Sequence, residues 1–249
     1  MNSYLESLIE AQTLDDLWEL HVARISEFGF GRMLYGFTRV WGDNRFGNPD
    51  DIVVLSNHPE AYTNGFIFEE HYARSPIAQW ALQHSGPISW SRAQIPTGQS
   101  PLTKEQQEAL DFNKENNIFA GYTISFPSDR SREKSAMILT ADVGVTQEEV
   151  DALWETHGRT INALCTIFHL KAQSLPHSYS RNLLTKRQRE VLEWVGDGKT
   201  TQDIATIMGL KPETIEKHLR LAREALEVET TTQAVLKASF QKQIFVVTT

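Results

Sequence analysis

Cysteine is nearly absent from this chain. Cys165 is the one thiol in 249 residues, so no intramolecular disulfide can staple the fold, a usage that fits a reducing compartment. It sits in the apolar run Ile161–Phe168 and reads as a buried structural thiol, not a nucleophile. Long apolar runs are missing too: none approaches the roughly 18 residues a membrane span needs. The start Met1-Asn-Ser-Tyr carries no basic segment followed by an apolar one, and the expectation is a cytoplasmic protein with no membrane partner. There is no Gly-rich phosphate loop, no His/Cys metal spacing and no Gly-x-Ser-x-Gly elbow. His58, His71, His84 and His157 stand isolated from one another. The expectations that follow are no enzyme, no catalytic residues, no metal and no cofactor.

Positive charge is scarce, but unevenly so. Lys+Arg number 24 against 32 Asp+Glu, for a net charge of −8. From Pro176 onward there are 11 basic and 9 acidic residues, leaving 13 and 23 before it, so the two parts carry +2 and −10. Such an asymmetry is expected where only the smaller, C-terminal part meets phosphate, with pairing of two chains adding to a weak individual affinity.

What is present in that part is strongly periodic. Val191/Leu192/Val195, Ile204/Ala205/Met208 and Ile215/Leu219/Ala222/Leu226 recur at helical spacing, separated by Gly196-Asp-Gly198 and Gly209-Leu-Lys-Pro212. Gly209 suits a left-handed helix end and Pro212 the first position of the next helix. The pattern is a helix-turn-helix, whose second helix enters the DNA major groove with its N-terminal residues foremost. With Ile215, Leu219, Ala222 and Leu226 turned inward, Glu213, Glu216, Lys217, Arg220, Arg223 and Glu224 point outward, and the three basic ones are the groove-facing candidates. The same pattern also suits a plain solvated face on a small bundle. Thr232–Gln243 reads as a fourth small helix, followed by an apolar tail, Ile244-Phe-Val-Val247, with no assigned place.

Earlier in the chain, residues 3–28 suggest two amphipathic helices with a new N-cap at Thr13. Met33–Val40 and Ile52–Leu55 read as neighbouring strands, with turn signals at Gly42-Asp-Asn and Gly47-Asn-Pro-Asp between them. Pro59–Gln83 suggests helices broken at Gly65 and before Pro76, Pro87–Trp90 a short strand, and Thr103–Asn116 a helix. Gly121–Phe126 and Ser135–Ala141 form a hairpin. Because strands and helices do not alternate as βαβ units, the expected fold class is α+β: an N-terminal α/β/α sandwich around a central antiparallel five-stranded sheet, plus a C-terminal all-α helix-turn-helix domain of four helices. Expected boundaries are 1–173 for the ligand-binding and dimerisation domain, 174–182 for a polar linker and 183–249 for the DNA-binding domain.

Thr146–Gln173 places Val150, Trp154, His157, Ile161, Leu164 and Phe168 at alternating spacings of 4 and 3, close to a coiled-coil seam. Trp154, His157, Ile161, Leu164 and Phe168 are accordingly the candidate dimer contacts, with Ile167 and Leu170 facing the sheet. A fully buried core helix fits the same spacing.

Leu184-Thr, Arg189-Glu-Val-Leu, Trp194, Gly198-Lys-Thr, Ile204-Ala, Thr214-Ile and His218 resemble the DNA-binding domain of LuxR-type transcription regulators, shared by NarL-type response regulators, over about the last 65 residues. The resemblance implies double-stranded DNA as partner and contacts from Lys199, Thr200, Thr214, Glu216, Lys217, Arg220 and Arg223. Two positions depart from the family: Gln188 replaces a Glu, and Glu216 replaces a lysine. An acidic residue there can accept from cytosine N4 but is repelled by phosphate.

The first 170 or so residues are similar, on sparser anchors, to the autoinducer-binding domain of the same family. Family positions for a Trp, a Tyr, an Asp-Pro pair, a second Trp and a Gly around an acyl-homoserine lactone fall on Tyr62, Phe66, Ser75, Pro76, Trp90 and Gly121, and the last three are retained. Replacing Asp by Ser75 exchanges a charged acceptor, worth about 1.5–3 kcal/mol, for a neutral one of about 0.5–1.5 kcal/mol. The resemblance therefore implies a small-molecule signal, lactone-like or more apolar or aromatic, held by Tyr62, Phe66, Ser75 and Trp90, with Tyr35 and Tyr122 in the remaining wall; for Tyr35 and Phe37 ordinary core packing reads better. Functionally, the resemblance implies a homodimeric transcription regulator of the quorum-sensing type. Alternatives are a ligand-independent regulator, a chain that titrates a partner regulator, and a phosphorylated response regulator. The last would need an alternating α/β receiver.

Overall fold

A computed structural model describes residues 2–38, 52–93, 102–130, 133–175 and 184–245. The turn signals at 42–50, the loop at 98–101 and most of the expected linker lie outside these residues. The chain divides into two compact units, Met1–Leu175 and Pro176–Thr249.

The first unit is built on five antiparallel strands in the order β2-β1-β5-β4-β3. They are β1 (Arg32–Thr38), β2 (Ile52–Ser56), β3 (Gly86–Ser89), β4 (Gly121–Ser125) and β5 (Lys134–Thr140). Strand alternation decides which side chain meets which layer. Met33, Tyr35 and Phe37 of β1, Tyr122 and Ile124 of β4, and Met137 and Leu139 of β5 share one core with helices α1 (Asn2–Glu10), α2 (Leu14–Ser26) and α8 (Gln147–Ser174). Their neighbours Leu34 and Ile138 turn to the opposite face. There they meet Tyr62, Phe66, Tyr72, Ile77 and Trp90, from short helical segments between β2 and β4, and Ile118 from the approach to β4.

Those segments are α3 (Glu60–Thr63), α4 (His71–Arg74), α5 (Pro76–Gln83), α6 (Trp90–Ala93) and α7 (Lys104–Glu115). The helix expected to break at Gly65 instead runs on from α3 into a π-helical turn, Asn64–Phe68, and the chain reverses at Glu70, in the left-handed region at φ 61°. Glycine serves at 65 for a packing reason. A Cβ there would lie 2.7 Å from the ring of Phe112 on α7.

Helix α8 turns most of the expected dimer seam into its own core, where Ile167 also packs. Ile161, Leu164 and Phe168, read as a dimer seam, are buried in the unit's own core, with Ile161 and Phe168 at 0% exposure. Trp154 stacks on Tyr122 at 3.9 Å, made possible by Gly158, whose Cβ would come within 2.5 Å of the indole nitrogen. Leu170, expected on the sheet, is 61% exposed. The physical reason is that alternating 3 and 4 spacing marks a helix with one apolar stripe and does not say whether a partner or a sheet covers it. Here the sheet does, and each buried aliphatic side chain contributes about 1.5–3 kcal/mol. His157 stays on the surface, within 5.5 Å of the Phe28 ring.

The second unit comprises α9 (Lys186–Gly196), α10 (Thr201–Met208), α11 (Pro212–Ala225) and α12 (Thr231–Phe240). Val191, Leu192, Ile204, Ala205, Ile215, Leu219, Ala222, Leu226, Ala234 and Ala238 form its core, joined by Ile244 of the C-terminal tail. Gly209, at φ 64°, closes α10, and Pro212 opens α11. Three of the four helices begin with a reciprocal capping box, at Thr185, Thr200 and Thr230. In the first, Gln188 accepts from the Thr185 N–H at 2.7 Å, so the residue that departs from the family pattern caps its helix much as a Glu would.

Candidate functional sites

The sheet face away from α8 carries an apolar cleft, partly open to solvent. Its floor is Leu34 and Gly36 of β1 with Ala136 and Ile138 of β5, and its roof includes Tyr62, Phe66, Tyr72, Ser75, Ile77 and Ala81. Gly36 and Ala136 are cross-strand partners, so two small residues side by side leave depth where larger ones would fill it. Trp90 closes one end. Its indole lies against Gly121, where a Cβ would approach to 2.9 Å and would also strike the Leu139 carbonyl at 2.1 Å.

Of the residues expected to hold a ligand, Tyr62, Phe66, Ser75 and Trp90 line this cleft. Tyr35 and Tyr122 do not. Both point to the opposite face of the sheet, toward α8, where the Tyr35 hydroxyl is hydrogen-bonded to His169 Nδ1 at 2.8 Å and Tyr122 stacks on Trp154. Their neighbours Leu34, Gly36 and Thr123 line the cleft in their place. Asn113, Thr123 and Lys134 are further lining residues that sequence reasoning missed. For Thr123 the signal was parity along the strand. For Asn113, on an exposed-looking helix, and for Lys134, a charge at a strand start, no local signal existed.

The cleft's polar atoms are largely engaged within the protein. Trp90 Nε1–H donates to Thr123 Oγ1 at 3.0 Å and the Tyr62 hydroxyl donates to Asn113 Oδ1 at 3.2 Å. Burial pushes the Tyr62 phenol well above its ordinary pKa, against a smaller opposing effect of Arg32. Ser75 Oγ caps α5 by accepting from the Ala78 N–H at 3.5 Å. Tyr62 is stacked between Phe66 and Phe112, both at 5.4 Å. His58, 4.7 Å from the same ring, is held neutral by burial and then by the nearby Arg32 charge, its pKa lowered to about 4. The arrangement can enclose an apolar or aromatic body while offering it few free donors.

In the second unit, α11 presents Glu216, Lys217, Arg220 and Glu224 to solvent, with Thr214 and Arg223 partly covered. Arg220 pairs with Glu224 at 2.5 Å, and Arg223 donates to Thr231 Oγ1 at 2.8 Å. The Thr201 hydroxyl donates to Glu216 at 2.8 Å, fixing that carboxylate beside the start of α10. Thr200 is the α10 N-cap, bonded to Asp203, whose pKa its hydroxyl and N–H lower, and Lys199 is exposed beside it. Lys217 has no carboxylate partner among the described residues. Among those same residues no cluster of His, Cys, Asp or Glu is placed to hold a metal ion, and no helix is long and apolar enough to cross a membrane.

A unit enclosing an apolar cleft, joined in one chain to a helix-turn-helix unit, defines a sensor coupled to a DNA-binding output: the class is the two-domain transcription regulator. Residues 13–172 match the family described as autoinducer binding domain, and residues 182–238 match bacterial regulatory proteins of the luxR family. The transcriptional activator CarR of Pectobacterium carotovorum subsp. carotovorum is 25% identical over 195 residues, covering 74% of this chain and 77% of CarR. The transcriptional activator LuxR of Aliivibrio fischeri strain ES114 is 24% identical over 193 residues, 76% and 73% of the two chains. Among solved structures, Burkholderia cenocepacia CepR2, described as an N-acylhomoserine lactone-dependent LuxR-family transcription factor, superposes with TM-score 0.54 at 15% identity, over 70% of this chain and 94% of CepR2. Escherichia coli SdiA does so with TM-score 0.52 at 14% identity over 97% and 96%, and SdiA bound to octanoyl-rac-glycerol with 0.51 at 15% identity over 96% and 93%. The chain belongs to the LuxR family of transcription regulators with an autoinducer-binding domain.

Proposed function

We propose that this regulator takes an apolar or aromatic signal in the cleft between Tyr62, Phe66, Ser75 and Trp90, and that its ligand is not recognised chiefly by a lactone head. The observation that carries this reading is the internal pairing of the Trp90 indole with Thr123 and of the Tyr62 hydroxyl with Asn113, together with a neutral Ser75 committed to a helix cap. That SdiA is described with octanoyl-rac-glycerol supports a non-lactone ligand for a cleft of this fold. Thermal-shift measurements with acyl-homoserine lactones and with lactone-free amides of the same chain length test it. The expected result is equal stabilisation by the two series. Strong stabilisation by a micromolar lactone alone overturns it.

The output in this reading is binding of a cytoplasmic homodimer to a near-palindromic site. Lys217 and Arg220 reach the major groove, with Glu216, held by the Thr201 hydroxyl, and Thr214, Arg223, Lys199 and Thr200 at the flanks. No catalytic step is assigned to the protein. With Ile161, Leu164 and Phe168 committed to the core, the surface of α8 left for a second copy carries Thr156, Arg159, Ala163 and Leu170. A ligand shifts DNA affinity by binding unequally to the competent and incompetent arrangements.

A further inference from the structure

We infer that the ligand of the N-terminal cleft carries an anionic group, a carboxylate or its equivalent, held by Lys134. This rests on the reading of the cleft as a ligand site and names the chemistry of one end of its occupant. Lys134 opens β5 and lines the cleft together with Ala136 and Ile138, the next residues on the same face of that strand. Trp90 marks the other end through its bond to Thr123, the register partner of Ile138. Ile138 lies four positions along the strand from Lys134, about 13 Å. An elongated apolar body lying over Gly36 and Ala136 thus reaches from the indole to Lys134.

The charge is not spoken for. Among the described residues Lys134 forms no ion pair. The adjacent acid, Glu133, points to the opposite face, where it accepts from Ser128 at 3.1 Å and from Gln173 at 3.0 Å and lies 3.9 Å from Arg130. Lys134 is partly buried, at the edge of a lining that is otherwise mostly hydrocarbon and aromatic. A lysine stem covers apolar surface while its head seeks an anion or water, and a carboxylate brought there with its own apolar chain meets both parts of the side chain. A neutral acyl chain ending at the same place would bury hydrocarbon against an ammonium and gain nothing from its charge.

The test uses the full chain with two matched probes, decanoate and decanamide, each titrated by calorimetry at pH 7.5 against the wild type and Lys134→Met. The expected result is that decanoate binds the wild type at least about tenfold more tightly than decanamide, and that Lys134→Met removes this preference while leaving decanamide affinity within about twofold. Equal affinity of the wild type for the two probes, or an equal loss of both in the variant, overturns the assignment of Lys134 and leaves the cleft reading standing. Binding of neither probe overturns both. Thermal unfolding of Lys134→Met checks that the variant keeps its fold, and Lys134→Arg, which retains the charge, is expected to keep the preference.

Discussion

The two units of this chain handle polar groups in opposite ways. The N-terminal unit buries several polar side chains and pairs them with one another: Tyr35 with His169, Trp90 with Thr123, Tyr62 with Asn113, Tyr4 with His21. The C-terminal unit keeps its interior almost wholly aliphatic and sets its charges on the surface, along α11 and at the capping boxes. A buried pair stabilises and orients but is unavailable to a visitor, whereas an exposed charge costs little and is free to exchange its partner for phosphate or a base edge. The difference teaches where each recognition resides. In the proposed reading, specificity in the first unit comes from shape and from a rare uncommitted group, and in the second from displayed charge.

The sharpest way to break the comparison is to attack the interior of the first unit. Ile161→Ala removes a fully buried side chain and is expected to cost the N-terminal unit about 2–5 kcal/mol in chemical denaturation, whereas Leu170→Ala on the same helix should change stability by less than about 0.5 kcal/mol. If Leu170→Ala were the costlier of the two, the orientation of α8 would be reversed.

Acid should separate the units next. Burial lowers the pKa of His21 to about 3 and of His58 and His169 to about 4, with Arg32 adding to the effect at His58. All three lie in the N-terminal unit. Each is neutral in the folded state and takes up a proton more readily when unfolded, near pH 6.5. Their contribution is therefore fully present above that pH and is lost progressively as pH falls from 6.5 through the folded values. By pH 5.5 this amounts to roughly 1 kcal/mol per histidine. Denaturation curves at pH 7.5 and 5.5 should show the N-terminal transition moving to lower denaturant while that of Pro176–Thr249 moves less.

A smaller effect sharpens the comparison from the other side. Gln188→Ala removes one half of the α9 capping box and is expected to destabilise the C-terminal unit by about 1 kcal/mol, with the N-terminal transition unmoved. Gln188→Glu should restore most of it, because a carboxylate accepts the same N–H.

How much of this was legible in the chain follows from where the information lay. Gly209 and Pro212 announce the turn because each acts through its own backbone, and the stripe Ile215/Leu219/Ala222/Leu226 needs only its own helix to be read. The cleft required more. Whether Tyr35 or Leu34 faces it depends on the parity of β1 against layers distant in sequence, and the same holds for Tyr122 against Thr123. The spacing of Trp154, Ile161, Leu164 and Phe168 reads as one stripe that suits a partner chain or the chain's own core equally, since periodicity names a covered face and not its cover. Lys134 was invisible as a cleft-lining residue because a charge at a strand end ordinarily meets water, and only the tertiary fold shows the apolar space beside it.

The central claim, that the exposed basic residues of α11 read duplex DNA for a paired chain, is tested most directly by selection from a random duplex library with the purified full-length protein, with and without cell extract. The account predicts enrichment of a near-palindromic sequence with half-sites about one helical turn apart, lost when Lys217 and Arg220 are both replaced by alanine. Enrichment of no sequence by the wild type, or equal enrichment by the double variant, would contradict it.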